Sequence, residues 1–269
     1  MISDNPCRQS MGLIEKQPQL TDLHRFLSER DWEAAQSQLI KYPKEARIWS
    51  EISLEDGLFT EMLPLHHAVQ GCAPIWLIQQ LLKAYPRACI KRDTYFYRCP
   101  LHFACLDSPY EELIRLLIDQ NREAVLANDV YGRLPLHYAV FSGAHEIVVQ
   151  SLLEVYPNGA QILDSNAWLP LHVAVRYQCS YGVIDSLVRA YPQALYIKTK
   201  RGHMTPADIA NKFQLDLDEC TEQLLLKPRS DHRRSSSDMF HRRTSSDSYH
   251  RRSSSIPEIP EYLPIDVGV

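Results

Sequence analysis

Five segments of the sequence resemble one another and recur at a nearly constant interval. Four contain Pro-Leu-His and the fifth contains Pro-Ala-Asp, and their prolines are Pro64, Pro100, Pro135, Pro170 and Pro206. Successive prolines are separated by 36, 35, 35 and 36 residues. A fixed period of about 20–50 residues is typical of repeat architectures, in which each repeat is one supersecondary unit. The spacing therefore limits the fold to an array of similar stacked units.

Each of the first four repeats carries a second apolar segment, which begins eleven to thirteen residues after the proline. In one of them, Ile147, Ser151, Leu152 and Val155 follow helical spacing. The proline itself suits the first position of a helix, because the N–H group that it lacks would have no partner there. The pattern predicts two short helices per repeat, the first starting at the proline. One such pair cannot bury its apolar face, so the repeats must stack.

The repeat resembles the ankyrin family. Residues 129–153, DVYGRLPLHYAVFSGAHEIVVQSLL, follow the ankyrin consensus through Asp129, Gly132, the Pro-Leu-His core, Gly143 and the Leu152-Leu153 pair. The resemblance extends over roughly residues 22–226 by repeat counting. It implies an all-α solenoid of helix-turn-helix repeats with β-turn fingers, which holds another protein on its concave face.

Two features depart from the family pattern. Ankyrin repeats usually have a period of about 33 residues, whereas here a Tyr-Pro pair recurs after the second helix, at Tyr85, Tyr156 and Tyr191. Proline there cannot continue the helix and directs the chain toward the next finger. In addition, Tyr97 stands where the finger turn needs glycine, and the finger at 200–204 is irregular. The turn geometry at both tips therefore stays open.

The sequence divides into three parts. Residues 1–19 are predicted to be a flexible N-terminus, residues 20–226 the ankyrin-repeat domain, and residues 227–269 a disordered tail rich in Ser and Arg. Within the domain, residues 20–46 are predicted to be a capping repeat without Pro-Leu-His, and full repeats start near 63, 99, 134 and 169. Residues 205–226 are predicted to be the terminal cap that keeps the array soluble. The shape of residues 47–62 stays open.

Aromatic and arginine side chains dominate the positions that the alignment places on the concave side. The predicted partner-binding residues are Tyr95, Phe96, Arg98, Tyr131, Arg133, Phe141, Trp168, Arg176 and Tyr177. Tyr, Trp and Arg supply most of the binding energy in protein interfaces. The alternative is that Tyr95, Phe96 and Trp168 pack against adjacent fingers.

Catalysis and metal binding are disfavoured. His66, His102, His137 and His172 occupy equivalent positions in successive repeats, and packed helices lie about 8–10 Å apart, too far for zinc ligands that each sit about 2 Å from the metal. The resemblance implies a structural role for these histidines. Cys105 could be a nucleophile with His102 as its base, but Cys105 occupies a core position of the repeat. We predict no catalytic residue, no metal and no cofactor, and an enzyme is the least favoured reading.

The C-terminal tail contains a second repeat. His-Arg-Arg-[Ser/Thr]-Ser-Ser starts at His232, His241 and His250. Arg-Arg-x-Ser resembles the substrates of basophilic kinases and nominates Ser236, Ser245 and Ser254 as phosphorylation sites. Residues 227–255 carry eight Lys and Arg against three Asp. An alternative function is therefore a regulator whose basic arm associates with nucleic acid or an anionic surface, although interspersed Asp disfavours nucleic acid.

One segment of the tail resembles a phosphopeptide ligand of 14-3-3 proteins. Arg252-Ser253-Ser254-Ser255-Ile256-Pro257 matches R-S-x-pS-x-P with Ser255 as the phosphate carrier. The kinase motif favours Ser254, one residue earlier.

The compartment follows from cysteine usage and hydropathy. Seven cysteines form no C-x-x-C pair, which fits neither a disulfide framework nor a zinc site, and no apolar run is long enough for a membrane span. We predict an intracellular protein, cytoplasmic with the nucleus as an alternative. Its predicted function is that of a scaffold or adaptor that binds a protein partner not named by the sequence.

Overall fold

The computed structural model describes residues 21–53, 59–107 and 110–226, all within the compact unit Met1–Lys227. The predicted flexible N-terminus and the tail, with its four predicted phosphorylation sites, lie outside the described residues. No helix in the described ranges is long and apolar enough to cross a membrane.

Short helices account for most of the described chain. They are α1 Asp22–Ser28, α2 Trp32–Lys41, α3 Pro64–Gln70, α4 Ile75–Ala84, α5 Pro100–Asp107, α6 Glu111–Gln120, α7 Pro135–Phe141, α8 Glu146–Val155, α9 Pro170–Arg176, α10 Tyr181–Ala190, α11 Pro206–Lys212 and α12 Glu219–Leu225. The helices α3, α5, α7, α9 and α11 begin at the five repeated prolines. The prediction that each of these prolines starts a helix in an equivalent position is confirmed.

The first helices of successive repeats pack in one row. Helix α1 contacts α3, and the contacts continue through α5, α7, α9 and α11 in chain order. The second helices form the other layer, in which α2 contacts α4, α6 contacts α8, and α10 contacts both α8 and α12. Ala68, Ala104, Ala139 and Ala174 are fully buried in the first row, and their small side chains allow close helix approach. The predicted α-solenoid is confirmed.

The turn between the two helices of a repeat has a recurring left-handed residue. Cys72, Gly143 and Gln178 adopt φ values of 58°, 71° and 52°. The next residue then donates its N–H back across the turn, as from Ala73 to the Ala68 carbonyl at 2.9 Å. This is the hydrogen bond of a Schellman cap, which satisfies a carbonyl at the helix end. The same cap recurs at Arg30 and Gln214.

A 3₁₀ turn follows each second helix from α2 to α10. These turns are Pro43–Arg47, Pro86–Ile90, Arg122–Leu126, Pro157–Gln161 and Pro192–Tyr196. Four of them start at the proline of a Tyr-Pro pair, where the missing N–H costs nothing. The turn at Arg122 lacks proline, but the Asn121 side chain accepts from the Glu123 N–H at 2.7 Å and replaces its effect. The Tyr-Pro departure from the family pattern is thus a short additional turn.

The segment that the sequence left open contains a β-hairpin. Strands β1 Ser50–Ser53 and β2 Phe59–Met62 pair antiparallel, with Ser50 opposite Met62 and Ser53 opposite Phe59. Met62 and Thr60 are buried, so alternate β2 residues face the protein, as strand geometry requires. The hairpin takes the place of a finger between α2 and α3.

Candidate functional site

Three of the four described fingers are held by a carboxylate, that of Asp93, Asp129 or Asp164. Asp129 Oδ1 accepts from the N–H groups of Tyr131 and Arg133, both at 2.8 Å. Asp164 does the same for Asn166 and Trp168 at 2.9 Å. In each finger the backbone also closes on itself, for example from the Asp129 N–H to the Arg133 carbonyl at 3.0 Å. An aspartate that bonds to the backbone a few residues on is a recurrent turn device.

The tip of each finger has one residue in the left-handed region, and the last tip has two, because His203 follows Gly202 with a φ of 49°. Gly132 and Gly202 have φ values of 75° and 79°, whereas Tyr97 and Ala167 have 58°. Tyr97 stands where the finger turn needs glycine, and it takes the left-handed conformation that glycine would take. The two fingers that seemed irregular, Asp93–Arg98 and Thr199–Met204, close across one more residue than the other two. The two 36-residue spacings contain these longer fingers.

Neighbouring fingers are joined by one backbone hydrogen bond each. The Val130 N–H donates to the Phe96 carbonyl at 3.0 Å, and the Ser165 N–H donates to the Tyr131 carbonyl at 2.8 Å. The Lys200 N–H continues the series to Asn166 at 2.9 Å. At the other end, the Thr94 N–H donates to Glu61 of the hairpin at 3.3 Å. The hairpin and the four fingers therefore form one continuous row.

The repeated histidines link each repeat to the next. His102 Nδ1 accepts from the Cys99 N–H at 3.1 Å, and its Nε2 donates to the Arg133 carbonyl at 3.2 Å. His137 repeats this pattern with Leu134 and Trp168, and His66 and His172 do so with their own neighbours. Burial lowers the pKa of His102 and His137 to about 3 and that of His66 and His172 to about 4. The rings are neutral and structural.

This use of both ring nitrogens leaves the histidines no lone pair for a metal. Among the described residues, no group of three or more His, Cys, Asp or Glu side chains could hold a metal ion. The cysteine nearest the His102 ring is Cys99, whose Sγ lies 3.2 Å from Nδ1. Burial raises the pKa of Cys99 to about 11 and that of Cys105 well above its ordinary value. Neither thiol is therefore an activated nucleophile.

His24 is a fifth linking histidine, which the repeat pattern in the sequence did not identify. His24 in α1 has its Nε2 3.1 Å from the Met62 carbonyl, and its Nδ1 lies 3.0 Å from Ser50 Oγ. Burial lowers its pKa to about 4. The signal was present as Asp22-Leu23-His24, which keeps two of the three residues of Pro-Leu-His. Asp22 takes the place of proline at the first helical position, where an acidic residue is favoured.

Three of the nine predicted partner-binding residues are buried. Arg98, Arg133 and Trp168 are 6%, 9% and 8% exposed. Arg98 Nε donates to the Tyr138 hydroxyl at 3.1 Å, and that hydroxyl donates to Asp129 at 2.6 Å. Arg133 Nε lies 3.6 Å from Asp164 Oδ2. The two arginines connect their fingers to the next repeat, and all three buried side chains offer little area to a partner.

The other six are partly exposed and form what we call the groove surface, namely Tyr95, Phe96, Tyr131, Phe141, Arg176 and Tyr177. They lie on the fingers and at the ends of first helices. The Phe141 and Tyr177 rings meet edge to face with centroids 4.7 Å apart, and Tyr95 and Phe96 do so at 4.6 Å. The Arg176 guanidinium lies 4.1 Å from the centre of the Phe213 ring.

Phe213 was missed as a member of this surface. It follows α11 at the position that Tyr177 occupies after α9, seven residues beyond the repeat proline, and it is 40% exposed. Extending the same alignment by one repeat would have found it.

The comparison with known families agrees with this geometry. A family model of ankyrin repeats matches residues 65–159 in three copies. A search of curated proteins found no match. The matched span runs from α3 into the 3₁₀ turn after α8, and the structure continues the same helix pairs and fingers through α11. Residues 65–159 of the chain are therefore ankyrin repeats.

Proposed function

We propose that this protein is a scaffold or adaptor that binds a protein partner on the groove surface. Ankyrin repeats are protein–protein interaction modules, and stacked repeats create extended surfaces for such binding. The observation that carries the proposal is the run of partly exposed aromatic and arginine side chains over three consecutive repeats, from Tyr95 to Tyr177.

The contacts within this surface favour binding. The edge-to-face pair Phe141 and Tyr177 and the stacked pair Arg176 and Phe213 hold four large side chains in place. Side chains that are ordered before binding lose less conformational entropy on association. Aromatic and arginine residues are also the types whose truncation costs most in interfaces, at about 2 kcal/mol or more.

Site-specific crosslinking tests the proposal on the full chain. A photoreactive phenylalanine analogue placed at Tyr177 should capture a specific protein from cell extract, whereas the same analogue at Tyr42, which is 47% exposed beside the 3₁₀ turn after α2, should not. With the captured partner purified, Tyr177→Ala should weaken binding about 30-fold, as expected for a loss of about 2 kcal/mol. Equal capture from both positions would contradict the groove surface as the site.

We propose a second, regulatory function for the tail. Three copies of His-Arg-Arg-[Ser/Thr]-Ser-Ser in one register support phosphorylation of Ser236, Ser245 and Ser254 by a basophilic kinase, and Arg252 to Pro257 supports docking of a 14-3-3 protein at phosphorylated Ser255. A phosphoserine adds about −1.5 to −2 charge and three acceptor oxygens. Such kinases act inside the cell, so the proposal includes an intracellular location.

Fluorescence anisotropy separates these tail assignments. A peptide of residues 248–262 phosphorylated at Ser255 should bind 14-3-3 more tightly than peptides phosphorylated at Ser254 or not at all. Equal binding by all three, or by none, contradicts the docking site.

A mobility-shift assay of the full chain at two salt concentrations tests the nucleic-acid alternative, since phosphate contacts weaken steeply with salt.

A further inference from the structure

The tips of the four fingers differ sharply in character along the row. We call them the finger strip, defined as residues 94–97, 130–132, 165–167 and 200–203. The first tip is Thr-Tyr-Phe-Tyr and the second Val-Tyr-Gly, whereas the third is Ser-Asn-Ala and the last Lys-Arg-Gly-His. The strip therefore changes from aromatic to neutral polar to cationic. The hydrogen bonds between fingers keep these tips in a fixed order.

The last tip carries cations that no described residue neutralises in an ion pair. Lys200 and Arg201 are exposed, and within the described ranges neither forms an ion pair. Their backbone is ordered, since the Lys200 N–H bonds to Asn166 and the Arg201 carbonyl accepts from Thr199 Oγ1 at 2.8 Å. The cationic groups are thus presented from a fixed turn, as an anionic ligand would require.

The opposite end of the row is acidic. In the hairpin, Glu51 lies directly opposite Glu61 in the strand register, and like charges in that arrangement destabilise a strand pair. A nucleic acid carries negative charge along its whole length and needs cations throughout its site. This row has an acidic hairpin, aromatic tips and cations only at the last tip. It therefore matches a polypeptide that combines acidic with apolar side chains.

We propose that the finger strip binds an extended acidic segment of a protein partner. Its Asp and Glu side chains lie over Lys200 and Arg201, and an aromatic or aliphatic side chain packs against Tyr95 and Tyr131. The proposal rests on the proposed scaffold function and specifies the chemistry of its partner. Three steps of about 8–10 Å separate the first tip from the last, which an extended chain at about 3.3 Å per residue spans with roughly eight or nine residues.

A phage library of random dodecapeptides selected on the full chain tests this directly. Enriched peptides should be net negative, with Asp or Glu clustered on one side of an aromatic or aliphatic residue. Their affinity should fall at least tenfold for the double variant Lys200→Glu/Arg201→Glu. The matched control is Lys83→Glu/Arg87→Glu, which makes the same charge change at exposed positions of α4 and its 3₁₀ turn and should change affinity less than twofold. Circular dichroism melting should show both variants folded.

The outcomes separate this inference from the scaffold function. The selected peptides could lose binding to Tyr131→Ala/Tyr177→Ala but keep it with Lys200→Glu/Arg201→Glu. That result would support the groove surface as the binding site and overturn the proposal of an acidic partner. Enrichment of basic or uncharged peptides would overturn it equally. Peptides unaffected by either double variant, or no enrichment at all, would contradict both proposals. Displacement of the peptides by single-stranded RNA at equal phosphate concentration would instead indicate a general anion site.

Discussion

His102 Nε2 in α5 donates to the carbonyl oxygen of Arg133, which closes the next finger, at 3.2 Å. The same ring accepts from Cys99 within its own repeat, so one side chain caps a helix and joins two repeats. In the last repeat Asp208 takes the place of this histidine and accepts from the Thr205 N–H at 2.9 Å. Aspartate keeps the cap but is too short to reach a following finger, as suits a terminal repeat.

Replacing the linking histidine should therefore cost more than replacing the terminal aspartate. His102→Asn keeps an acceptor for Cys99 but loses the bond to Arg133 and leaves space in the core, so we expect a loss of about 2–4 kcal/mol in the free energy of unfolding. Asp208→Ala removes only an exposed cap, worth about 1 kcal/mol. Urea unfolding followed by circular dichroism measures both. Equal losses would show that the inter-repeat bond adds no stability.

Acid should destabilise the protein through its buried histidines. The pKa of each linking histidine is lowered from 6.5 to about 3 or 4, so the unfolded chain binds more protons and stability falls as pH drops below 6.5. Each contributes about 1.4 kcal/mol per pH unit. Burial raises the pKa of Asp93 and Asp107 to about 6, which opposes the effect between their ordinary value of 3.8 and 6.

The five histidines lower the free energy of unfolding on acidification, and the two carboxyl groups offset part of this. Between about pH 6 and 4 the net loss is up to about 4 kcal/mol per pH unit. Urea midpoints measured at half-unit steps should show this slope, and His102→Asn should reduce it by about the share of one proton. Stability that is flat or rises on acidification would contradict buried neutral histidines.

The third finger tip should be improved by glycine. Ala167 has φ of 58°, a conformation that costs an L-residue about 1–2 kcal/mol, whereas glycine pays about 0.5–1 kcal/mol in backbone entropy. We expect Ala167→Gly to raise the free energy of unfolding by about 0.5–1 kcal/mol, the difference of these two costs. Ala34→Gly, inside α2, should lower it by a similar amount. Urea unfolding measures both changes in the free energy of unfolding. Changes of the same sign would contradict backbone strain at Ala167.

The hydroxyl of Tyr138 should carry more stability than other tyrosine hydroxyls. It accepts from Arg98 Nε and donates to Asp129 Oδ2 in a buried site, and burial raises its pKa. Tyr138→Phe leaves two charged groups short of a partner, which should cost about 2–3 kcal/mol. Tyr191→Phe, at the partly exposed end of α10, serves as the control. Thermal melts of both variants check this, and a loss below that of the control would disprove the bridging role.

The sequence alone determined the period, the helix starts and the terminal position of Asp208, because these depend on local chemistry. Proline at a helix start, helical spacing of apolar residues and a polar side chain three residues into the helix act within a few residues of the chain. The Pro-Leu-His core indicated ankyrin repeats, and that resemblance implied a structural role for the histidines. It also placed Tyr177 on the binding side of its repeat, whereas Phe213 at the equivalent position of the next repeat was missed.

Only the tertiary structure decided which side chains face outward. Arg98, Arg133 and Trp168 belong to the residue types that favour binding, yet they are buried, the two arginines against side chains of the next repeat. Likewise, His24 is a linking histidine because the hairpin brings Met62 to its ring, and Cys99 rather than Cys105 is the thiol beside His102. Burial and hydrogen-bond partners depend on residues some 25 to 40 positions away in the chain. A pattern read within one repeat does not contain the side chains of the next, and it is their packing that sets exposure.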